Sequence, residues 1–91
     1  MEAHIIKRRG HKEAYDERKV YGSVYSASLN AHLDKMNAEK IAEKVSCEIT
    51  EWIAAETEQV SSEKIFRKAI ELIKNENKDV SFMYETHRDL A

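Results

Sequence analysis

Apolar residues recur at helical spacing through most of the chain and follow a different pattern only near its start. Between residues 38 and 55 they form one stripe: Ile41, Val45, Ile49, Trp52 and Ile53. Between residues 62 and 74 they form a second: Ile65, Phe66, Ala69, Ile70 and Ile73. Weaker stripes lie in residues 17–33 and 80–90. The pattern predicts four helices that pack through their apolar faces.

The first fifteen residues predict strands instead. Ile5 and Ile6 are the apolar centre of a strand over residues 4–9, Gly10 supplies a permissive backbone for a turn, and a return strand covers residues 12–15. Val60 predicts a short third strand beside this hairpin. A two-stranded ribbon is marginal in water and must pack on something. We therefore predict an α+β fold, a four-helix bundle capped by a small N-terminal β-hairpin or three-stranded sheet, as one domain over residues 1–91.

Residues with capping side chains precede the predicted helices, because their oxygens accept the N–H groups that a first helical turn leaves without partners. The expected caps, in chain order, are Asp16, Asn37, Ser61 or Ser62, and Asp79. The first helix is expected to run to about residue 33.

Three residues of unusual type lie on the predicted helices. Gly22 costs about 1 kcal/mol relative to alanine, and we interpret it as a point where another element packs closely. Cys47 is expected to be a buried small hydrophobe. As the only cysteine, it excludes an intrachain disulfide and favours a reducing, cytoplasmic location. Trp52 is expected in the core rather than as a stacking platform.

Composition and charge limit the classes of function. The chain has 91 residues and a net charge of −2, with charges of both signs interspersed, which argues against autonomous binding to nucleic acid. No apolar run approaches the roughly 20 residues of a membrane span. The four histidines show no metal-ligand spacing. Without a phosphate-binding glycine loop, a nucleophile elbow or carboxylates paired for acid–base work, we predict no enzymatic activity.

The chemistry-bearing residues concentrate in residues 5–20. Lys7 and Arg8 come just before the turn glycine, and an acid, an aromatic, a second acid and a lysine follow at fixed offsets: Glu13, Tyr15, Asp16 and Lys19. A short basic run alone is usually a solvated surface. Here the two cations, the glycine and the four residues at fixed offsets occur together in one register, and this combination favours a binding site over a solvated surface.

That register, with Val60-Ser61-Ser62 and the closing His87-Arg88 pair, resembles the ATP-cone family. This family comprises nucleotide-binding regulatory domains, found at the N-terminus of ribonucleotide reductases and in the repressor of their genes. The resemblance covers nearly the whole chain. It implies a regulatory domain whose ligand is ATP or dATP, with Mg²⁺ accompanying the triphosphate.

The resemblance assigns the phosphates to basic residues. Lys7 and Arg8 resemble the paired cations that hold a triphosphate, and Arg88 resembles a third basic contact. Ser62, at a predicted helix N-terminus, resembles a further phosphate contact through its hydroxyl and the backbone N–H groups.

The resemblance assigns the adenosine to the remaining residues. Glu13 and Asp16 resemble the acceptors for the adenine amino group, Lys19 orders them or touches the nucleotide, and Ile5 supplies apolar contact to the base. Phe66 departs from the polar residue usual at its position. It either stacks on base or sugar or fills core, which leaves the discrimination between ATP and dATP open.

Partners follow from the same resemblance. A domain of this kind acts by changing its own oligomeric state or by regulating an enzyme in trans. The alternatives are a transcription-regulating module, disfavoured by the net charge, and a protein-interaction module that has lost or altered nucleotide binding.

Overall fold

The computed structural model describes residues 4–6, 12–56 and 60–87, in seven elements. The helices are α1 (Glu17–Asn30), α2 (Lys35–Ala55), α3 (Ser62–Glu76) and α4 (Lys78–His87). The strands are β1 (His4–Ile6), β2 (Lys12–Ala14) and β3 (Val60–Ser61). For residues 4–6, 12–14 and 87 the description covers the backbone.

The core consists of the predicted helical stripes. Val45, Ile49 and Ile53 of α2 are buried, while Ile41 and Trp52 lie half-buried at the edges of the same stripe. The other helices contribute Val20, Val24, Ala27, Ile65, Ala69, Ile73 and Val80. Among the described residues, every buried polar side-chain atom has a hydrogen-bond partner. The stripes therefore meet in one continuous apolar interior.

The helices are arranged as a ring. α1 packs most extensively on α2 and also contacts α4, while α3 contacts α4 and α2. Consequently α1 and α3 lie on opposite corners of the bundle. Across the described part of the chain, none of the helices combines the length and apolarity needed to cross a membrane.

The predicted fold class is wrong, because the protein is a helical bundle and not an α+β fold with a sheet as its cap. The helices have 14, 21, 15 and 10 residues, whereas the strands have three, three and two. β1 pairs antiparallel with β2 and parallel with β3, in the order β2-β1-β3. Segments this short form a ribbon rather than a layer: of the described core residues, all but Val60 lie on helices.

Two of the predicted caps are confirmed and two are wrong. Asp16 caps α1 and Ser61 caps α3, each accepting a backbone N–H of the first turn. The cap of α2 is Asp34, whose carboxylate accepts the Asn37 N–H at 2.8 Å, so the helix starts earlier than predicted. The cap of α4 is Asn77, two residues before the predicted Asp79: its side-chain oxygen accepts the N–H groups of Asp79 and Val80 at 2.9 and 3.1 Å.

α1 also ends earlier than the predicted residue 33. Two backbone bonds close its last turn, from the Leu33 N–H to the Ser28 carbonyl at 3.1 Å and from the His32 N–H to the Leu29 carbonyl at 3.0 Å. This is the Schellman pattern, which requires a left-handed residue after the helix. His32 occupies that position with a φ of 69°.

The structure overturns two further predictions. A Cβ built on Gly22 meets nothing within 4 Å, so no element of the described chain packs closely there. Cys47 is exposed rather than buried. Trp52, in contrast, packs against the core as predicted, and the Lys68 Nζ lies 5.8 Å from its ring centroid.

Candidate functional site

The nine predicted site residues divide into three groups. Lys7, Arg8 and Arg88 lie outside the described residues. Ile5 and Glu13 are described by their backbone. The side chains of Asp16, Lys19, Ser62 and Phe66 are described, and they belong to the beginnings of α1 and α3.

The three strands connect these two helix beginnings. Ile5 is the register partner of Glu13 on one side and of Val60 on the other. Ile6 is the partner of Ser61, and α3 begins at the next residue. The structure therefore brings the backbone of Ile5 alongside the segment that leads into Ser62, with Glu13 on the other side of β1, although these residues are far apart in sequence.

Asp16 caps α1 through one carboxylate oxygen. Its Oδ1 accepts the Arg18 backbone N–H at 2.9 Å and the Arg18 Nε–H at 3.3 Å. The hydrogen bond from the Arg18 side chain is the main cause that lowers the pKa of Asp16, and the backbone bond adds to it. Asp16 is therefore ionised at neutral pH and can only accept hydrogen bonds.

Tyr15 fixes the segment before Asp16 to the bundle. Its hydroxyl lies 2.9 Å from the Thr50 Oγ1 on α2, and the Thr50 hydroxyl donates to the Ser46 carbonyl at 2.8 Å. Burial is the main cause that raises the pKa of Tyr15. Sequence reasoning used Tyr15 only as part of a motif and missed Thr50, because a pair 35 positions apart has no local pattern.

Lys19 lies in the same first turn as Asp16. Its backbone N–H donates to the Asp16 carbonyl at 3.1 Å, and its side chain is exposed at the surface of α1. The turn therefore presents an acidic and a basic side chain three positions apart, and the predicted role of Lys19 in ordering the acids or touching the nucleotide stays a prediction.

Ser61 and Ser62 share the beginning of α3. The Ser61 Oγ accepts the Lys64 N–H at 3.1 Å, and Ser62 is the first residue of the helix. The first N–H groups of a helix have no partner within it and carry partial positive charge, which suits an anion. The negative charge of Glu63 disfavours an anion at this position. Arg67 offsets part of that charge, because its Nε lies 3.9 Å from the Glu63 carboxylate.

Phe66, one turn further along α3, is half-buried. Its ring stacks on the ring of Tyr84 of α4, with centroids 5.4 Å apart and planes inclined by 21°. Such a pair stabilises the fold by more than the burial of its apolar surface alone would give. Nothing in the sequence indicates Tyr84 as a partner of Phe66, because stacking between two helices leaves no periodic pattern in the sequence of either helix.

The comparison with protein families gives a match over residues 3–88 to a family described as the ATP cone domain. The match covers both helix beginnings, the three strands and the basic residues of the motif. The chain therefore belongs to the ATP-cone family. A search of curated proteins and a search of solved structures found no match.

ATP-cone domains are regulatory domains that bind nucleotides, in general ATP or dATP. The family thus gives the chain a class of function, and it agrees with the resemblance carried by residues 5–20 and 60–65.

Proposed function

We propose that this chain is a non-catalytic allosteric sensor of ATP and dATP. The observation that carries the proposal is the ATP-cone match over residues 3–88, together with the ribbon that joins the beginnings of α1 and α3. In this proposal the nucleotide lies along the ribbon, with its base toward α1 and its phosphates toward α3.

Asp16 and Glu13 are proposed to bind the base. The two described hydrogen bonds of Asp16 both end on Oδ1, and a carboxylate has a second oxygen that can accept from a ligand. The amino group of adenine is a donor, whereas guanine presents an acceptor oxygen at the same position. We therefore expect selectivity for adenine over guanine nucleotides, with Ile5 in apolar contact and Lys19 ordering the acids.

The triphosphate is proposed to lie between Ser62 and the cations Lys7, Arg8 and Arg88. Lys7 follows β1 directly in sequence, and β1 pairs with the strand that leads into Ser62. Cations on one side and helix N–H groups on the other suit a highly charged anion.

Mg²⁺ is proposed to arrive with the triphosphate and not to be held by the protein. Within residues 15–56 and 60–86, no group of three or more His, Cys, Asp or Glu side chains is placed to hold a metal. The described donor set thus does not fit a protein-bound ion, whereas phosphate oxygens are ligands that Mg²⁺ prefers.

Phe66 is proposed to be the reason that the site does not distinguish nucleotides with a ribose 2′-hydroxyl from those without one. A phenyl ring offers no hydrogen bond to that hydroxyl, and its stack on Tyr84 ties it to α4. We expect ATP and dATP to bind within a few-fold of each other.

The test is isothermal titration calorimetry of the whole chain with the Mg²⁺ complexes of ATP, dATP, ADP and GTP. We expect ATP and dATP to bind and GTP to bind at least tenfold more weakly. At a ligand concentration of a hundred times Kd, ATP should stabilise the fold by about 2.7 kcal/mol. Absence of binding by all four nucleotides would contradict the proposal and leave an interaction module that has lost its ligand.

The variant Lys7→Ala/Arg8→Ala tests the phosphate contacts and should abolish ATP binding. Its matched control is Lys35→Ala/Lys40→Ala, which removes two exposed lysines of α2 and changes the net charge equally. Full ATP affinity in the first variant, or equal losses in both, would show that these two cations do not form the phosphate site.

A further inference from the structure

The outer surface where α1 meets α2 combines aromatic, apolar and acidic residues. We call it the tyrosine face and define it by Tyr21, Gly22, Tyr25 and Leu29 of α1 with Glu39 and Glu43 of α2. Positions three and four apart are neighbours along a helix surface. Tyr21, Tyr25 and Leu29 therefore follow one line on α1, with Gly22 beside it, and the two glutamates follow one line on α2.

The aromatic part of this face is ordered. The rings of Tyr21 and Tyr25 are stacked, with centroids 6.2 Å apart and planes inclined by 12°, and both lie half-buried against the core. Glu39 and Glu43 are exposed and close enough to contribute, after burial, to the raised pKa of Tyr21. Two carboxylates therefore border an aromatic pair.

Apolar surface continues beyond the tyrosines into solvent. Leu29 is 38% exposed, and Met36, three residues before Glu39, is 66% exposed. These are two of the three large hydrophobic residues that are exposed among the described side chains, the third being Phe82 on α4. Exposed methionine and leucine beside aromatics are typical of protein-binding surfaces.

Gly22 lies beside this line of α1, three residues before Tyr25 and seven before Leu29. It disfavours the helix by about 1 kcal/mol relative to alanine, and its missing side chain accommodates nothing within the described chain, since a Cβ there meets no atom within 4 Å. A glycine that the monomer does not require leaves the helix backbone open to close approach from outside.

We propose that the tyrosine face is a docking surface for a partner-protein segment in which arginine or lysine residues alternate with apolar ones. The carboxylates of Glu39 and Glu43 pair with the cations, and the tyrosine rings offer them cation–π contacts. The apolar side chains of the segment cover Leu29 and Met36, and its backbone approaches α1 at Gly22.

Charge selects this occupant over a second copy of the chain. In a symmetric dimer through this face, the carboxylates of Glu39 and Glu43 from both copies would enter one interface, and like charges within an interface are costly. The face shares no residue with the proposed nucleotide site, so docking can be tested without nucleotide.

The test is an NMR titration of the isotope-labelled whole chain with two synthetic peptides. The probe peptide alternates arginine with leucine, and its control has glutamate in place of arginine. We expect the probe to shift the backbone signals of residues 21–29 and 36–43 and the control to shift none. Absence of binding by the probe, or shifts centred on other helices, would overturn the proposal.

Charge reversal separates specific pairing from general attraction to an acidic protein. Glu39→Lys/Glu43→Lys should weaken binding of the probe at least tenfold. Glu71→Lys/Glu85→Lys, which reverses two exposed acids on α3 and α4, changes the net charge equally and should weaken it less than threefold. Equal losses would mean that only the overall charge matters and would overturn the assignment of the face.

Gly22→Gln tests close approach without removing any contact within the chain. It should raise the melting temperature, because glutamine favours a helix over glycine, and should weaken binding of the probe at least tenfold. Ser23→Gln, also exposed on α1 but not three or four positions from any residue of the face, is the matched control and should leave the affinity unchanged. Unchanged affinity in Gly22→Gln would overturn docking at that glycine.

Discussion

The interior of the bundle and the end where α1 and α3 begin are stabilised by different forces. Val24, Ile49 and Ile73 have no exposed surface and are fixed by close packing. At the other region, Asp16 and Ser61 are oriented by hydrogen bonds to N–H groups of the first helical turns. Stability therefore depends mainly on packed side chains, while the candidate ligand contacts depend on polar groups at the surface.

The largest effect is expected in the interior. Ile49→Ala should lower the free energy of unfolding by about 2–5 kcal/mol, because it leaves a cavity among side chains that cannot fully relax. Urea denaturation measures the change, with Ile49→Val, expected to cost about 0.5–1.5 kcal/mol, as the graded control. A loss of less than 1 kcal/mol for Ile49→Ala would place Ile49 outside the close-packed core.

At the polar end, substitutions of Asp16 should separate capping from ligand binding. Asp16→Ala removes the cap and should lower the melting temperature by several degrees. Asp16→Ser keeps a capping oxygen and should change the melting temperature little. Both should weaken ATP binding by calorimetry, because neither offers a carboxylate to adenine. Normal ATP affinity in Asp16→Ser would limit Asp16 to its role as a cap.

The pKa of Asp16 adds a pH dependence. Because Arg18 lowers this pKa in the folded state, the stabilisation is complete above the ordinary aspartate pKa of about 3.9. It is lost as the pH falls through the lower folded value. The difference in melting temperature between the natural chain and Asp16→Ala should therefore be constant near neutral pH and shrink in acid. A difference that grows in acid would contradict this sign.

A smaller effect, of opposite sign, is expected at the far end of α1. His32→Gly should raise the free energy of unfolding by about 1 kcal/mol, because the φ of 69° is unfavourable for a side chain with a Cβ and natural for glycine. Thermal denaturation measures it, and ATP affinity should be unchanged. A destabilised glycine variant would mean that the His32 side chain makes contacts that outweigh its strained backbone.

The helical part of the fold could be predicted because its pattern is repetitive. The stripe through Val45, Ile49 and Ile53 contains enough periods to locate α2 and its inner face. Caps were less predictable, because Asp34 and Asn37 lie within one turn of each other and both have capping side chains. The cap is the last residue with an extended backbone before the helix, here Asp34. Which residue this is depends on the path of the connection from α1, which local sequence does not show.

Gly22 and Cys47 show where single-residue reasoning fails. Both were assigned by residue type, yet the neighbours of Cys47 at four-residue spacing are Glu43 and Glu51, a pattern that indicates the outer face. For the candidate site, the motif supplies the candidate residues, whose role in binding stays a prediction. The pairing of Ile5 with Glu13 and Val60 has no local pattern, because it depends on long-range contacts. The stack of Phe66 on Tyr84 also depends on a contact between two helices, which the sequence of either helix does not show.

The parallel pairing of β1 with β3 also has a consequence for the order of folding. It joins the first described residues of the chain to Val60 and Ser61, so a long loop must close before the ribbon exists, and such closure is slow and entropically costly. The contacts between α1 and α2 are local by comparison and need no such closure. During refolding, nucleotide binding should consequently appear after helix formation, and a nascent chain should become able to bind ATP only once α3 has been synthesised.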